Sequence, residues 1–159
     1  MNRKSRFGLA GLLAAAVCGL LGTTDMLAQD TAQAGVALHP VVSIRDLMEK
    51  TITPATNAIW SFYEPPAEES EWVALEEAAV TMLAAASLTA AGGTGPMDSE
   101  WVRDPRWQAF NKIMLDASQD ALDAIRARDH DALLQASDIL YPPCEGCHMQ
   151  FHPGVIAEQ

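Results

Sequence analysis

The chain has 159 residues and carries 21 acidic against 10 basic side chains, a net charge of −11 with histidine neutral. A surface of that sign repels nucleic acid and anionic membrane. Three cysteines are too few for a disulfide-stapled scaffold, and the length beyond the N-terminal segment suits one domain with its own core.

The first 28 residues have the layout of a secretory signal peptide. Arg3, Lys4 and Arg6 form a basic start, residues 9–21 form an apolar run, and small residues follow at Ala28 and at Ala32-Gln33-Ala34. The run is shorter than the ~20 residues of a membrane span. Arg3 and Arg6 are not adjacent, so a Sec-type route is expected rather than a twin-arginine one. Cleavage is expected after residue 28, or as late as 34, with a periplasmic destination and no membrane span in the mature chain. Cys18 falls in the apolar run and leaves with it; bulky Val17 before it argues against a lipoprotein cysteine. Removing residues 1–28 leaves seven basic and twenty acidic side chains, a net charge of −13. An exported protein of that charge suits a basic partner.

Residues 35–159 show no alternating strand pattern and read as four helices in one domain. The first covers about 42–63. Ser43 is its cap and Ile44, Leu47, Met48, Ile52, Ala55 and Ile59 are its inner face. Pro54 is expected to kink or split it, with Thr53 as a second cap. The second covers about 69–90, with Trp72, Leu75, Ala79, Met82, Leu83 and Ala86 facing inward and Gly92-Gly93-Thr94-Gly95-Pro96 ending it. The third starts at Asp104-Pro105, a cap followed by proline at the first helical position. It faces inward with Trp107, Phe110, Met114, Ala117, Ala121 and Ile125 and ends near Arg126 and Arg128. The fourth begins near Asp129 and carries Leu133, Ser137, Leu140, Cys144, Cys147, His148 and Phe151 at helical spacing. Pro142-Pro143 is expected to break or bend it, with a restart at Pro143. Four amphipathic segments on short connections make an all-α, antiparallel four-helix bundle the expected fold.

The last helix holds the pattern that carries chemistry, Cys144-Glu145-Gly146-Cys147-His148. Cys-x-x-Cys-His is the attachment motif of c-type haem. Positions i, i+3 and i+4 share one helix face, so two thiols can add to the two vinyl groups of one porphyrin while the imidazole binds iron. Zinc is the alternative, but a structural site takes four ligands and only His39, His130 and His152 remain. A redox dithiol would sit in a βαβ context, which the pattern lacks.

An export signal, four helices and Cys-x-x-Cys-His on the last helix resemble the class II c-type cytochromes, which comprise cytochrome c′ and its low-spin relatives. The resemblance rests on Cys144-Glu145-Gly146-Cys147-His148 and on Ser43-Ile44-Arg45-Asp46-Leu47-Met48 in the first helix. It implies one covalent haem c, with Cys144 and Cys147 as thioether attachments, His148 as proximal iron ligand and Met48 as distal ligand. A Met/His pair keeps iron six-coordinate and raises its potential, which suits an electron carrier rather than an enzyme. The open alternative is that Met48 only packs. The haem is then five-coordinate and takes NO or CO in a distal space lined by Leu47, Ile52 and Met48. Peroxidase chemistry ranks last, because no histidine stands beside Met48 as an acid–base group. Met82 and Met114 are expected in the core, and Arg45, Lys50, Arg103 and Arg106 are candidates to meet a propionate. Redox partner proteins, basic at the contact, are the implied partners; pairing of two copies stays open.

Overall fold

A computed structural model describes residues 39–152 and Gly154. The signal-peptide reading of residues 1–28, with cleavage as late as 34, lies outside the described residues. Among those described, every regular element is helical: α1 (Ile44–Leu47), a π-helical turn (Met48–Ile52), α2 (Thr53–Trp60), α3 (Glu69–Ala91), α4 (Asp98–Trp101), α5 (Pro105–Ala127) and α6 (His130–Phe151). Most of the inward-facing residues read from the sequence form the core, while Met48, Leu83, Phe110, Ser137 and Phe151 are half-buried at its edge. Leu75, Ala79, Met82, Ala86, Ala117, Ala121, Ile125, Leu133 and Leu140 are almost fully buried. α3 packs against α5, α5 against α6, and α2 with the π turn against α3. The alanines on these faces let the helices lie close, since a small side chain adds little to the interaxial distance.

Local chemistry explains the boundaries. Ser43 accepts the Asp46 N–H at 3.0 Å and the Asp46 carboxylate accepts from the Ser43 N–H and hydroxyl, a reciprocal cap for α1. Asp104 accepts the Arg106 N–H at 2.8 Å and Pro105 opens α5. Arg128 closes α5 in the left-handed region at φ 57°, and Asp129 caps α6 at once by accepting the Ala132 N–H at 3.0 Å. That tight junction explains why α5 and α6 are the most closely packed pair. Gly92 ends α3 at φ 110°, a conformation that disfavours any Cβ. α3 is the one described helix long and apolar enough to cross a membrane by length and composition. Its inner face of Trp72, Leu75, Ala79, Met82 and Ala86 is spent on the core.

Two proline expectations are corrected. α6 does not break at Pro142-Pro143 but runs through both. The prolines leave the carbonyls of Asp138 and Ile139 without their helical donors, and both of those residues are exposed, where water replaces the lost bonds. At Pro54 the segment does divide, from the π turn into α2 at Thr53, but Thr53 does not recap it, since its side chain makes no capping bond. Pro54 has no N–H for the carbonyl of Lys50, and the chain widens instead. The Thr53 N–H reaches back five residues to the Met48 carbonyl. The short α4 was not expected; it lies in the connection between the second and third segments.

Candidate haem site

The motif residues sit in the last two turns of α6. Cys147 is buried, while Cys144 and His148 are half-buried. The Cys144 thiol donates to the Leu140 carbonyl at 3.3 Å, so its χ1 is set by the turn before it. Burial pushes the Cys144 thiol up to about 11. Burial, with Cys144 as a second cause, pushes Cys147 up to about 12. Both sulfurs are therefore neutral thiols at pH 7, the reverse of the lowered values that make a redox dithiol reactive. Burial, and then the nearby His152, lowers the pKa of His148, a shift toward the neutral imidazole that binds a metal. Gly146 has a packing reason: a Cβ there would lie 2.8 Å from Cε1 of Phe110.

These residues line a cavity of about 320 Å³, within the ~300–1,000 Å³ of ligand pockets. α6 contributes Tyr141, Pro143, Cys144, Glu145, Cys147 and His148. The π turn and α2 contribute Met48, Ile52, Thr53, Thr56, Asn57 and Trp60, and α5 contributes Phe110, Asn111 and Met114. Thr53, Asn57, Tyr141 and Glu145 are exposed, so they form its mouth. Trp60 and Tyr141 meet across that mouth with ring centroids 5.9 Å apart. Met48 packs on both hydrophobic clusters, the main core and a smaller one of Ile44, Trp107 and Cys147.

The fold thus brings Met48, Cys144, Cys147 and His148 to one cavity. Leu47, expected on its distal side, instead lines a separate groove with His39, Val42 and Leu88. His39, His130 and His152 do not line the cavity; His130 lies 3.2 Å from the Phe62 carbonyl. Met82 is core, whereas Met114 is both core and cavity wall. Arg45, Lys50, Arg103 and Arg106 are all absent from the lining. Arg106 pairs with Asp104 at 2.6 Å, and Arg45 and Lys50 pair with Glu49 at 2.7 and 3.6 Å.

Two features escaped the sequence reading. Asn111 donates to the Trp107 carbonyl at 2.9 Å and accepts from the Thr89 hydroxyl at 2.6 Å, while the Trp107 indole donates to the Thr89 carbonyl at 3.1 Å. This buried network fixes the α5 wall of the cavity to α3. Asp98, in α4, is 3% exposed and accepts the N–H of Ile44 at the start of α1. Only the adjoining glycine string could have signalled it, and that string reads equally well as a plain helix stop.

The residues present fit a covalently held porphyrin. Two neutral thiols and a neutral imidazole share one helix face on a largely apolar cavity, and a thioether stands on another wall. No group of three or more His, Cys, Asp or Glu suited to a metal ion occurs among the described residues. Comparison with family models, with curated proteins and with solved structures gives no match for this chain.

Proposed function

We propose that this chain is a periplasmic c-type cytochrome, an electron carrier with one covalent haem c and His/Met ligation, built as an antiparallel four-helix bundle. The observation that carries the reading is the single cavity onto which Met48, Cys144, Cys147 and His148 all open. Haem, when bound, supplies a one-electron couple. Cys144 and Cys147 would hold it through thioether bonds and His148 would bind its iron. The half-buried setting of His148, which favours neutral imidazole, keeps a ring nitrogen free for that bond. Met48 would give a soft, neutral second ligand that favours ferrous iron. Ile52, Phe110, Met114 and Trp60 give the cavity an apolar lining that would limit water around the group. The mouth at Asn57, Tyr141 and Glu145 is where electrons would pass to a partner, and Glu145 favours a basic one.

The experiment is mass spectrometry and optical spectroscopy of the secreted protein, expressed with a haem-attachment apparatus. The expected outcome is the polypeptide mass plus one haem, a Soret band, and a sulfur-to-iron charge-transfer feature. Met48→Ala should abolish that feature and lower the potential while leaving the covalent mass unchanged. A bare polypeptide mass with no Soret band would overturn the reading.

One observation favours a second reading with the same attachment. Met48 bridges the two hydrophobic clusters, a packing task complete in itself. In that case the haem is five-coordinate and binds NO or CO. A high-spin spectrum that shifts on adding CO, unchanged by Met48→Ala, selects it.

A further inference from the structure

Asp98 is the one acidic side chain buried among the described residues. It brings a carboxyl group into a small space between the α3–α5 connection and the start of α1. A buried carboxylate is retained only where hydrogen bonds replace its lost water. Here a single oxygen, Oδ2, accepts two backbone N–H groups, from Ile44 at 2.8 Å and from Gly95 at 2.8 Å.

The Ile44 N–H matters because of where it lies. It is the first amide of α1, one of the donors that a helix leaves without an internal partner. The Ser43–Asp46 box satisfies its neighbours from within the same turn. Asp98 satisfies Ile44 from 54 residues away. A second bond runs alongside, from the Thr94 N–H to the Val42 carbonyl at 3.0 Å. Gly93 makes room for both: a Cβ there would fall 2.1 Å from Asp98 Oδ2 and 2.6 Å from the Ile44 nitrogen. Only a residue without a side chain lets the carboxylate and the helix end meet.

Met48 follows Ile44 by one helical turn and opens the π turn that lines the cavity. No strongly packed backbone pairing ties α1 or α2 to α6. α1 meets the motif through side chains, Ile44 packing in one cluster with Trp107 and Cys147, and the place of Met48 depends as well on what holds the backbone of α1. Below it, the π turn and α2 pack on α3. Above it, α1 is held by the Asp98 carboxylate, by the Thr94–Val42 backbone bond and by the burial of Ile44 beside Trp107.

We propose that Asp98 is a positioning residue for Met48: its carboxylate pins the first amide of α1 to the glycine-rich connection and so helps to fix the thioether in the cavity that the motif also lines. The proposal deepens the cytochrome reading, and its bearing on iron rests on that reading; the fixing of α1 does not.

The test therefore has two readouts on the full-length protein as purified. The first is amide hydrogen exchange. Asp98→Ala should speed exchange at residues 44–48 by roughly tenfold or more, the factor expected when a bond to a charged acceptor is removed. Amides of α5 and α6 should hold their rates. Asp98→Asn keeps an oxygen where Oδ2 stands and should stay within about threefold of wild type. The second readout is spectroscopic. Asp98→Ala should keep its covalent haem and Soret band but lose most of the sulfur-to-iron feature, lower the potential and gain affinity for CO; Asp98→Asn should restore the feature. If Asp98→Ala does not fold, Gly93→Ala must produce the same local change in exchange. Unchanged exchange at residues 44–48 in a folded variant overturns the proposal. So does faster exchange there with the sulfur–iron feature and potential intact. A wild-type chain without covalent haem removes the cytochrome reading, and exchange still decides whether Asp98 fixes α1.

Discussion

The cavity has one wall on α6 and another on the π turn and α2, and the two are held by different means. On α6 the chemical groups are fixed by local geometry alone. Cys144, Cys147 and His148 keep their mutual register as long as one stretch of helix exists, because i, i+3 and i+4 share a face. On the other wall, Met48 is placed by contributions from distant parts of the chain. Pro54 denies Lys50 its helical donor and widens the turn, Asp98 pins the start, and α3 supports the flank. A covalent attachment needs residues that hold register while the rest of the chain is still assembling, and one helix supplies that. On the proposed reading, Met48 would have to be held at a fixed place in the cavity, and tertiary structure supplies that.

The largest effect that can separate the walls is complete loss on one side. Replacing both motif cysteines, Cys144→Ser with Cys147→Ser, removes the sulfurs without altering helix spacing. The expected outcome is no haem surviving acid extraction, measured as the bare polypeptide mass. Changes on the other wall should leave that mass at the haem-bearing value. Loss of covalent haem on replacing Met48 or Asp98 would show that the walls are not independent, and the comparison would fail.

The same division decided what could be read from the chain. The α6 motif was legible because its chemistry lives in spacing, and helix spacing survives into the fold. The inward faces of the four segments were legible for the same reason: Ile44, Leu47, Ile52, Ala55 and Ile59 are all buried. The π turn was not legible. Met48 and Ile52 sit four residues apart, which fits an α-helix as well as a wider one, and nothing local shows that Thr53 would reach back to Met48. Asp98 was hidden because its partner is far away in the chain and its glycine neighbours resemble any helix stop. Pro142-Pro143 misled in the opposite direction. Local preference said break, but the two carbonyls it frees are on the wet face, and burial of Leu140, Pro143 and Cys147 carries the helix across.

That last point gives a prediction of intermediate size, confined to the α6 wall. Pro142 is exposed, so Pro142→Ala changes little packing and restores an N–H for the Asp138 carbonyl. A proline inside a helix costs roughly 3 kcal/mol relative to alanine, offset by up to ~1 kcal/mol of unfolded-state entropy. Pro142→Ala should therefore stabilise the protein by about 2 kcal/mol in denaturant unfolding, with the thioether-to-iron feature unchanged. A neutral or destabilising result would mean that α6 is bent at this point by design, and that the motif wall, too, depends on more than helix register.

The smallest effect belongs to the cap of α1, and it divides the support of the Met48 wall further, into what is local and what is remote. Ser43→Ala removes a helix cap and should cost about 1 kcal/mol. The partner in that cap gives a pH signature. The Asp46 carboxyl is held below its usual 3.8 by hydrogen bonds from the Ser43 side chain and backbone. A lowered value means that the unfolded chain binds the proton more readily. The stability Asp46 adds is therefore fully present above the ordinary carboxylate value and is lost as pH falls through the lowered one. Glu49 and Asp104, lowered by Arg45 and Arg106, act in the same direction, so the measurement is a difference between wild type and Asp46→Asn across pH 2–5. The wild type should lose its advantage over the variant as acid is added. If the advantage persists at the acid end, the cap of α1 is held from outside the turn, and Asp98 carries the N-terminus of the helix without help from its own first residues.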